Sequence, residues 1–370
     1  MASRGAGRSR ARNDDSQLDF LTLVFQGGGA KTPGPELSAA LAKEPSSAKS
    51  QLDAPRLPES KLESVRLDNE SIAPPRPPLV DGAAKRLEPV RNERNYRIKD
   101  SDLIGSGSLK AKCRGNLAAI EVLKLVEAQE RQATKEEKGV LVRYVGWGGL
   151  PQVFDCLNDE WQTERNELER LLTESELDSA RATTLNAHYT APVVIQAMYS
   201  VLARFGFEHG RILEPACGIG HFIGLMPEAM LSHSQITGVE IDSVSARITE
   251  ALYPDSDIRH SAFEETKLAD NFYDVAVSNI PFGDYKPYDP KFRAWNFPIH
   301  DYFFAASLEK VRPGGLLLFI TSKGTLDKQD GAIREYIASR ADLLGAIRLP
   351  NDAFKKNANT EVTTDIVMLQ

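Results

Sequence analysis

Hydrophobic and polar positions fall into three regimes along the chain. From Gly27 to about Glu93 no period of 3.6 or 2 is sustained, and GGG at 27–29, TPGP at 32–35 and PPRPP at 74–78 break up the few apolar residues. That stretch reads as a disordered linker, and residues 1–94 together as a disordered Pro-rich tail. From Asn116 to Glu130, Leu117, Ile120, Leu123, Leu125 and Val126 share one broad helical face. A second helix is expected to start at Thr134, because Glu137 three residues on completes a capping box in which each side chain satisfies the other's free backbone N–H. Val140 to Val145 are its expected buried portion. The Gly146-Trp147-Gly148-Gly149 run stops it, with the Trp147 indole as an anchor to the core. A third, heavily charged helical stretch covers Asp159 to Leu172, and Ser175 and Asp178 offer a further helix start. Residues 95–180 therefore read as a helical lead-in domain.

After Leu185 the pattern changes to short apolar runs alternating with amphipathic helices. The runs are Arg211–Glu214, Ile236–Glu240, Val275–Ser278, Leu316–Thr321, Leu344–Leu349 and Asp365–Leu369. Strand, helix, strand predicts an α/β fold with a mostly parallel sheet and helices on both faces. Ligands of such sheets bind beyond the carboxyl ends of the strands, near a switch in strand order. Residues 181–370 are thus where chemistry is to be sought.

Composition follows the same division. Residues 1–100 hold ten of the 21 prolines but only Phe20, Phe25 and Tyr96 among the aromatics, so the core lies downstream. Those residues carry 17 Lys+Arg against 14 Asp+Glu, which leaves 28 against 38 in the remainder. An acidic body supplies little phosphate neutralisation, which argues against tight unaided DNA binding. Cys113, Cys156 and Cys217 are too few and too widely spaced for a disulfide framework or a C-x-x-C clip, and a reducing, cytoplasmic compartment is expected. Apolar runs such as Leu316–Ile320 are far shorter than the roughly 20 residues that span a bilayer, so no membrane role is expected. Arg4, Arg8, Arg10 and Arg12 are followed at once by Asp14, Asp15 and Asp19, which reads as a solvated tail rather than a targeting peptide. The six histidines show no paired ligand spacing, and no metal site is expected.

Three segments carry candidate chemistry. In the first, Ile212 to Phe222, a strand ends in Glu214, enters a turn containing Gly218 and Gly220, and continues into an apolar helix. The glycines permit close approach of a ligand and Glu214 can bond a cationic amine, although a lone G-x-G is equally a tight strand-to-helix turn. In the second, the run from Ile236 ends in Glu240, about 20 residues beyond the glycines, where a carboxylate can accept both ribose hydroxyls or simply favour a helix N-terminus. These two leave NAD and S-adenosylmethionine both open. The third is Ser278-Asn279-Ile280-Pro281-Phe282. It offers an amide oxygen, a backbone carbonyl and an aromatic face within one turn, a set suited to a planar substrate bearing an NH₂. Asn279 and the Ile280 carbonyl can accept the amine hydrogens of adenine while Phe282 stacks on the base; as bland readings, Asn-x-Pro is a turn and Phe282 is core. Cys217 is read as a small residue beneath the glycine loop rather than a nucleophile. The polar, aromatic loop with Asp284, Tyr285, Lys286, Tyr288, Arg293 and Trp295 is either a solvated loop or a clamp for a single strand or flipped base.

The order of these segments resembles the N6-adenine DNA methyltransferases with an Asn-Pro-Pro-Tyr/Phe motif, over about residues 186–370. The resemblance implies a class I (Rossmann-like) methyltransferase fold with a seven-stranded sheet, S-adenosyl-L-methionine as cofactor and adenine in DNA as acceptor. Ala187-His188-Tyr189-Thr190-Ala191-Pro192 is similar to the leading motif, which implies that Tyr189 and Thr190 hold the methionine end. The glycine-loop motif implies cofactor contacts from Glu214, Ala216, Gly218, Gly220 and Phe222, with Glu214 where Asp is usual and Ile219 where Thr or Ser is usual. Glu240 corresponds to the ribose-binding acid, and Ala262 and Phe263 to the segment flanking the cofactor adenine. Asn279, Ile280, Pro281 and Phe282 correspond to the catalytic motif, with Ile280 replacing its first proline. Asn95–Ile98, Asp102–Gly105, Val142–Phe154 and Leu349–Ile366 resemble more narrowly the large methylase-helicase fusion proteins of plasmids and phages. That likeness implies a restriction-modification setting in a bacterial or phage-infected cell. It also implies a helicase or specificity module outside this chain, since no G-x-x-x-x-G-K-[ST] loop occurs here. Two rival readings are another amine acceptor, such as a protein glutamine or an RNA base, and a non-catalytic cofactor- or partner-binding domain.

Overall fold

The computed structural model describes residues 92–184, 190–283, 285–350 and 363–370. The expected tail, apart from its last three residues, lies outside them. The helical lead-in consists of α1 (Leu109–Ala128), α2 (Lys135–Leu141), α3 (Gln162–Leu171) and α4 (Glu174–Thr183). It is followed by α5 (Pro192–Arg204), β1 (Arg211–Glu214), α6 (His221–Leu225), α7 (Glu228–Leu231), β2 (Gln235–Glu240), α8 (Ser243–Leu252), β3 (Asp257–His260) and β4 (Tyr273–Asn279). The chain then runs through α9 (Ile299–Lys310), β5 (Val311–Ser322), α10 (Gly324–Asp327), α11 (Ala332–Ala338), β6 (Leu343–Arg348) and β7 (Thr364–Leu369). No described helix is long and apolar enough to cross a membrane.

The strands form one seven-stranded sheet in the order β3-β2-β1-β4-β5-β7-β6, with β7 antiparallel to both neighbours and the other described pairings parallel. This is the class I methyltransferase arrangement that the family resemblance implies, and it contains the mostly parallel sheet that the pattern of apolar runs predicts. Strand order reverses between β1 and β4, so their carboxyl ends flank the crevice where such sheets bind ligands. Central positions of β1, β4, β5 and β7 are buried. A core of Leu213, Val239, Ala276, Leu317, Phe319 and Val367 continues into the aromatic cluster of α9.

Several boundaries differ from the sequence expectation for identifiable reasons. β3 was not expected: it is a polar, largely exposed edge strand, and pairing with β2 needs only its backbone. β5 begins at Val311 rather than Leu316, because a register shift opposite Tyr273 and Gly314 at φ +74° carry the ladder past Pro313. The first lead-in helix starts earlier, capped by the Ser108 hydroxyl, and Leu125 is exposed rather than on the buried face. The second has the expected capping box but ends at Leu141, so Val142, Tyr144 and Val145 are buried outside it while Arg143 is exposed. The helix start assigned to Ser175 or Asp178 is instead Thr173, whose capping box with Glu176 satisfies the first turn.

The lead-in packs on α8 and is held there by charge. Arg247 of α8 pairs with Glu127 of α1 at 2.9 Å and with Glu176 of α4, and Lys124 reaches Glu176 at 2.6 Å. Ahead of α1 the chain adds an extended clamp, with Tyr96 N donating to Leu252 O and Ile98 N to Gly224 O. Trp147 is buried edge-on against Tyr144 and Phe154. Gly220 caps α6 at φ +71°, and a Cβ there would stand 2.5 Å from a Tyr253 ring carbon. Gly220→Ala should therefore destabilise the fold by about 2–3 kcal/mol, from a strained backbone and a clash with a buried ring. Thermal or denaturant unfolding of the two proteins measures this.

Candidate functional site

The carboxyl ends of β1, β2 and β4 deliver Glu214, Glu240 and Asn279 to one cavity of about 400 Å³, within the usual size range of small-molecule sites. Thr190, Ala216, Gly218, Phe222, Ala262, Phe263, Ile280, Pro281 and Phe282 line it as well. Of the residues assigned to cofactor or acceptor from the sequence, two are not in its described wall, and of the described residues named in the aromatic loop only Tyr285 lines it. Tyr189 lies outside the described residues. Gly220 is the helix cap described above and shapes the loop without itself lining the cavity.

Hydrogen bonds across the strand ends shape the glycine loop. Cys217 N donates to Val239 O at 2.9 Å, Thr249 Oγ1 donates to Gly218 O at 2.7 Å, and Ser278 Oγ donates to Ala216 O at 3.2 Å. Gly218 N donates to Glu240 Oε2 and Asp242 N to Glu240 Oε1, each at 2.8 Å. Glu240 is thus held by two backbone donors, and its carboxylate oxygens keep lone pairs for further hydroxyl donors. Asp242 in turn caps α8 by accepting from Ser245 N at 2.9 Å.

Glu214 is 2% exposed, and its Oε2 has no hydrogen-bond partner among the described residues. No described ion pair reaches either Glu214 or Glu240. Burial, and then the neighbouring Glu240, push the Glu214 carboxyl well above its usual range. Burial also pushes Glu240 up to about 7, against the lowering effect of its backbone donors. A buried carboxylate with an unused oxygen facing a cavity is a receptor for a cation. An amino-acid ammonium meets that demand, and Glu240 suits vicinal hydroxyls. The residues present therefore fit S-adenosylmethionine: Glu214 would hold its amino group, Glu240 its ribose, and Phe263 its purine. Phe263 packs on Phe303, a second aromatic of the same wall, with ring centres 5.0 Å apart.

The Asn279 segment is stiff. Ile280 N donates to Ile320 O at 3.1 Å and the Ile280 side chain is buried in the core, so the peptide leading into Pro281 is held without a proline at position 280. Further residues complete the wall, some named in the sequence reading and some not. His221 is buried and held neutral, its pKa brought down to about 4 by burial. Cys217 is pushed up by burial, as suits a packing residue. Tyr285 and Glu264 join at 3.4 Å on the wall, an outcome of the aromatic loop that no spacing foretold. Gly146, from the glycine-tryptophan run, and Ser179, Ala182 and Thr183, which no motif marks, come from the lead-in. Among the described residues no group of three His, Cys, Asp or Glu is placed to hold a metal ion.

Glu214 and Glu240 keep a proton in the folded, ligand-free chain at pH values where the unfolded chain has lost it. Their contribution to stability is therefore complete below the ordinary value of 4.5; that of Glu240 is lost as pH rises through about 7, and that of Glu214 as pH rises through its own raised value. His221 acts oppositely, its contribution growing as pH rises from about 4 to its ordinary 6.5. The difference between proteins isolates the carboxyl: Glu240→Gln should gain stability relative to the parent as pH rises from about 5 to about 8, in a thermal-unfolding series without ligand.

No protein-family model matches the chain. It is 28% identical over 197 residues to the Defense against restriction protein B of Escherichia phage P1, covering 50% of this chain and 8% of that protein. The chain thus spans a small part of the length of that relative. Among solved structures, a Listeria monocytogenes chain assigned to the class I S-adenosylmethionine-dependent methyltransferases aligns with TM-score 0.42 and 18% identity, over 69% of this chain and 87% of that one. The methyltransferase subunit of a type I restriction-modification system from Streptococcus thermophilus aligns with TM-score 0.42 and 13% identity, over 71% and 79%. The chain has the class I methyltransferase fold, by its own strand order, and is similar to a phage P1 protein and to methyltransferases of restriction-modification systems.

Proposed function

We propose that the chain is an S-adenosylmethionine-dependent methyltransferase that modifies the N6 amine of adenine in DNA. The observation that carries this reading is the convergence of Asn279–Phe282 with Glu214 and Glu240 on one cavity, so that an amine acceptor and a cationic donor would meet. When bound, the cofactor supplies an electrophilic methyl carbon on sulfur. The chain's residues do the rest by holding and orienting. Asn279 Oδ1 and the Ile280 carbonyl accept the two amine hydrogens, which turns the nitrogen lone pair out of the ring plane towards that carbon. Held by Glu214, Glu240 and Phe263, the cofactor would give up its methyl group and keep the C–S bonding pair as a neutral thioether, and the extra amine proton would pass to solvent. Phe282 stacks on the base, a contact worth about 1–3 kcal/mol in other single-strand binders. The target must leave the duplex or come from a single strand to reach this depth.

Similarity over 197 residues to a protein named for defence against restriction supports DNA as the acceptor. The acidic composition favours delivery of DNA by a partner or by a specificity or helicase module on another segment. The setting proposed is a restriction-modification or anti-restriction system.

Incubation with methyl-labelled cofactor and unmethylated DNA, followed by nucleoside analysis, should give N6-methyladenine. Label in RNA or protein instead would transfer the mechanism to another amine, and cofactor binding without transfer to any acceptor would make this a binding domain. Asn279→Ala should keep cofactor affinity and lose about 10²–10³-fold in the transfer rate, as removal of a preorganised transition-state contact does elsewhere. Equal rates in the two proteins would contradict the role given to Asn279.

A further inference from the structure

The lead-in helices are more than a support beside the sheet. Gly146, Ser179, Ala182 and Thr183 line the same cavity as Glu214 and Glu240. Three of them lie within one and a half turns of α4. That helix is held against the site by charge at one end, through Glu176 to Arg247 and Lys124, and by a hydrogen bond further along, where Ser179 Oγ donates to Asp242 Oδ1 at 2.8 Å. Asp242 is the residue whose backbone N–H donates to Glu240 Oε1, and its other carboxylate oxygen caps α8. An unbroken path therefore runs from Ser179 through Asp242 to Glu240. Thr183 donates its hydroxyl proton to Ala180 O at 2.8 Å, which directs the oxygen's acceptor side away from its own helix.

We propose that α4 is a working wall of the cofactor site: Ser179 positions the Asp242 peptide that orients Glu240, and Ala182 and Thr183 close the cavity over the nucleoside. This deepens the cofactor reading and rests on it. Ser179 is here a positioning residue, since it acts on Glu240 through Asp242. The lead-in, remote in sequence from every motif of the sheet domain, then sets cofactor affinity. Group transfer is left to residues at the other side of the cavity, so changes on α4 should alter KM and Kd for the cofactor while leaving kcat near that of the parent.

The Ala182 side chain is exposed at the cavity rim, so a large replacement can be added without disturbing the core. Calorimetry with S-adenosylmethionine on the full chain should show Ala182→Trp binding at least about tenfold more weakly, with an unchanged unfolding temperature. Ser179→Ala should weaken binding by about three- to tenfold, the worth of one hydrogen bond, and Ser179→Thr should restore it. Unaltered affinity in both Ala182→Trp and Ser179→Ala, with the parent binding normally, overturns the role of α4 and leaves the cofactor reading intact. Failure of the parent itself to bind overturns both. A lowered affinity in Ser179→Ala that Ser179→Thr does not restore, or that comes with a lowered unfolding temperature, reduces Ser179 to a fold contact.

Discussion

Two carboxylates stand at the ends of adjacent parallel strands without a described cation of the protein between them, and the site is organised around that cost. Burial raises the proton affinity of both, Glu240 raises that of Glu214 further, and Asp242 adds to that of Glu240. A folded protein keeps such a pair only where something repays the desolvation, because a buried unpaired charge is among the more expensive features a chain can carry. Part of the compensation is internal, through the two backbone donors on Glu240. The rest is open to a ligand that brings a positive charge and hydroxyl hydrogens, which is what the proposed cofactor offers.

The same constraint explains why so much of the surroundings is rigid. The backbone donors on Glu240 exist only because the glycine loop is drawn back under β2, and that depends on Gly220 at positive φ against Tyr253 and on Thr249 holding Gly218 O. Asp242 serves three partners at once: its side chain accepts from Ser245 N and Ser179 Oγ, and its peptide donates to Glu240. Through Asp242 the helical lead-in and the sheet share one hydrogen-bonded network, reinforced by the bridging position of Arg247. A parallel sheet leaves its strand ends as bare peptide groups; here those groups are used to shape the site rather than left to solvent.

Much of this was legible in the sequence because strands buried on both faces of a sheet are continuous apolar runs. β1, β2, β4 and β7 were recognisable from such runs, and Glu214, Glu240 and Asn279 from their positions at the ends of them. β3 was not, since an exposed edge strand needs no apolar side chains, and the extension of β5 past Pro313 depends on a bulge that leaves no periodic trace. That Gly220 caps a helix at positive φ was not legible either, because a glycine needed for φ and one needed for ligand approach look alike in one sequence. The α4 wall was invisible for a different reason. Ser179, Ala182 and Thr183 reach the cavity only through tertiary packing on α8, and no local pattern reports which face of a polar helix will meet a site some sixty residues away.

The carboxylate pair is tested most directly by counting protons on cofactor binding, using calorimetry near pH 6.5 in buffers of different ionisation enthalpy. The account predicts net proton release as S-adenosylmethionine binds, an affinity that increases as pH rises from about 6 to about 7.5, and a smaller release in Glu214→Gln. Binding with no proton exchanged and no pH dependence over that range, or no binding at all, would contradict it.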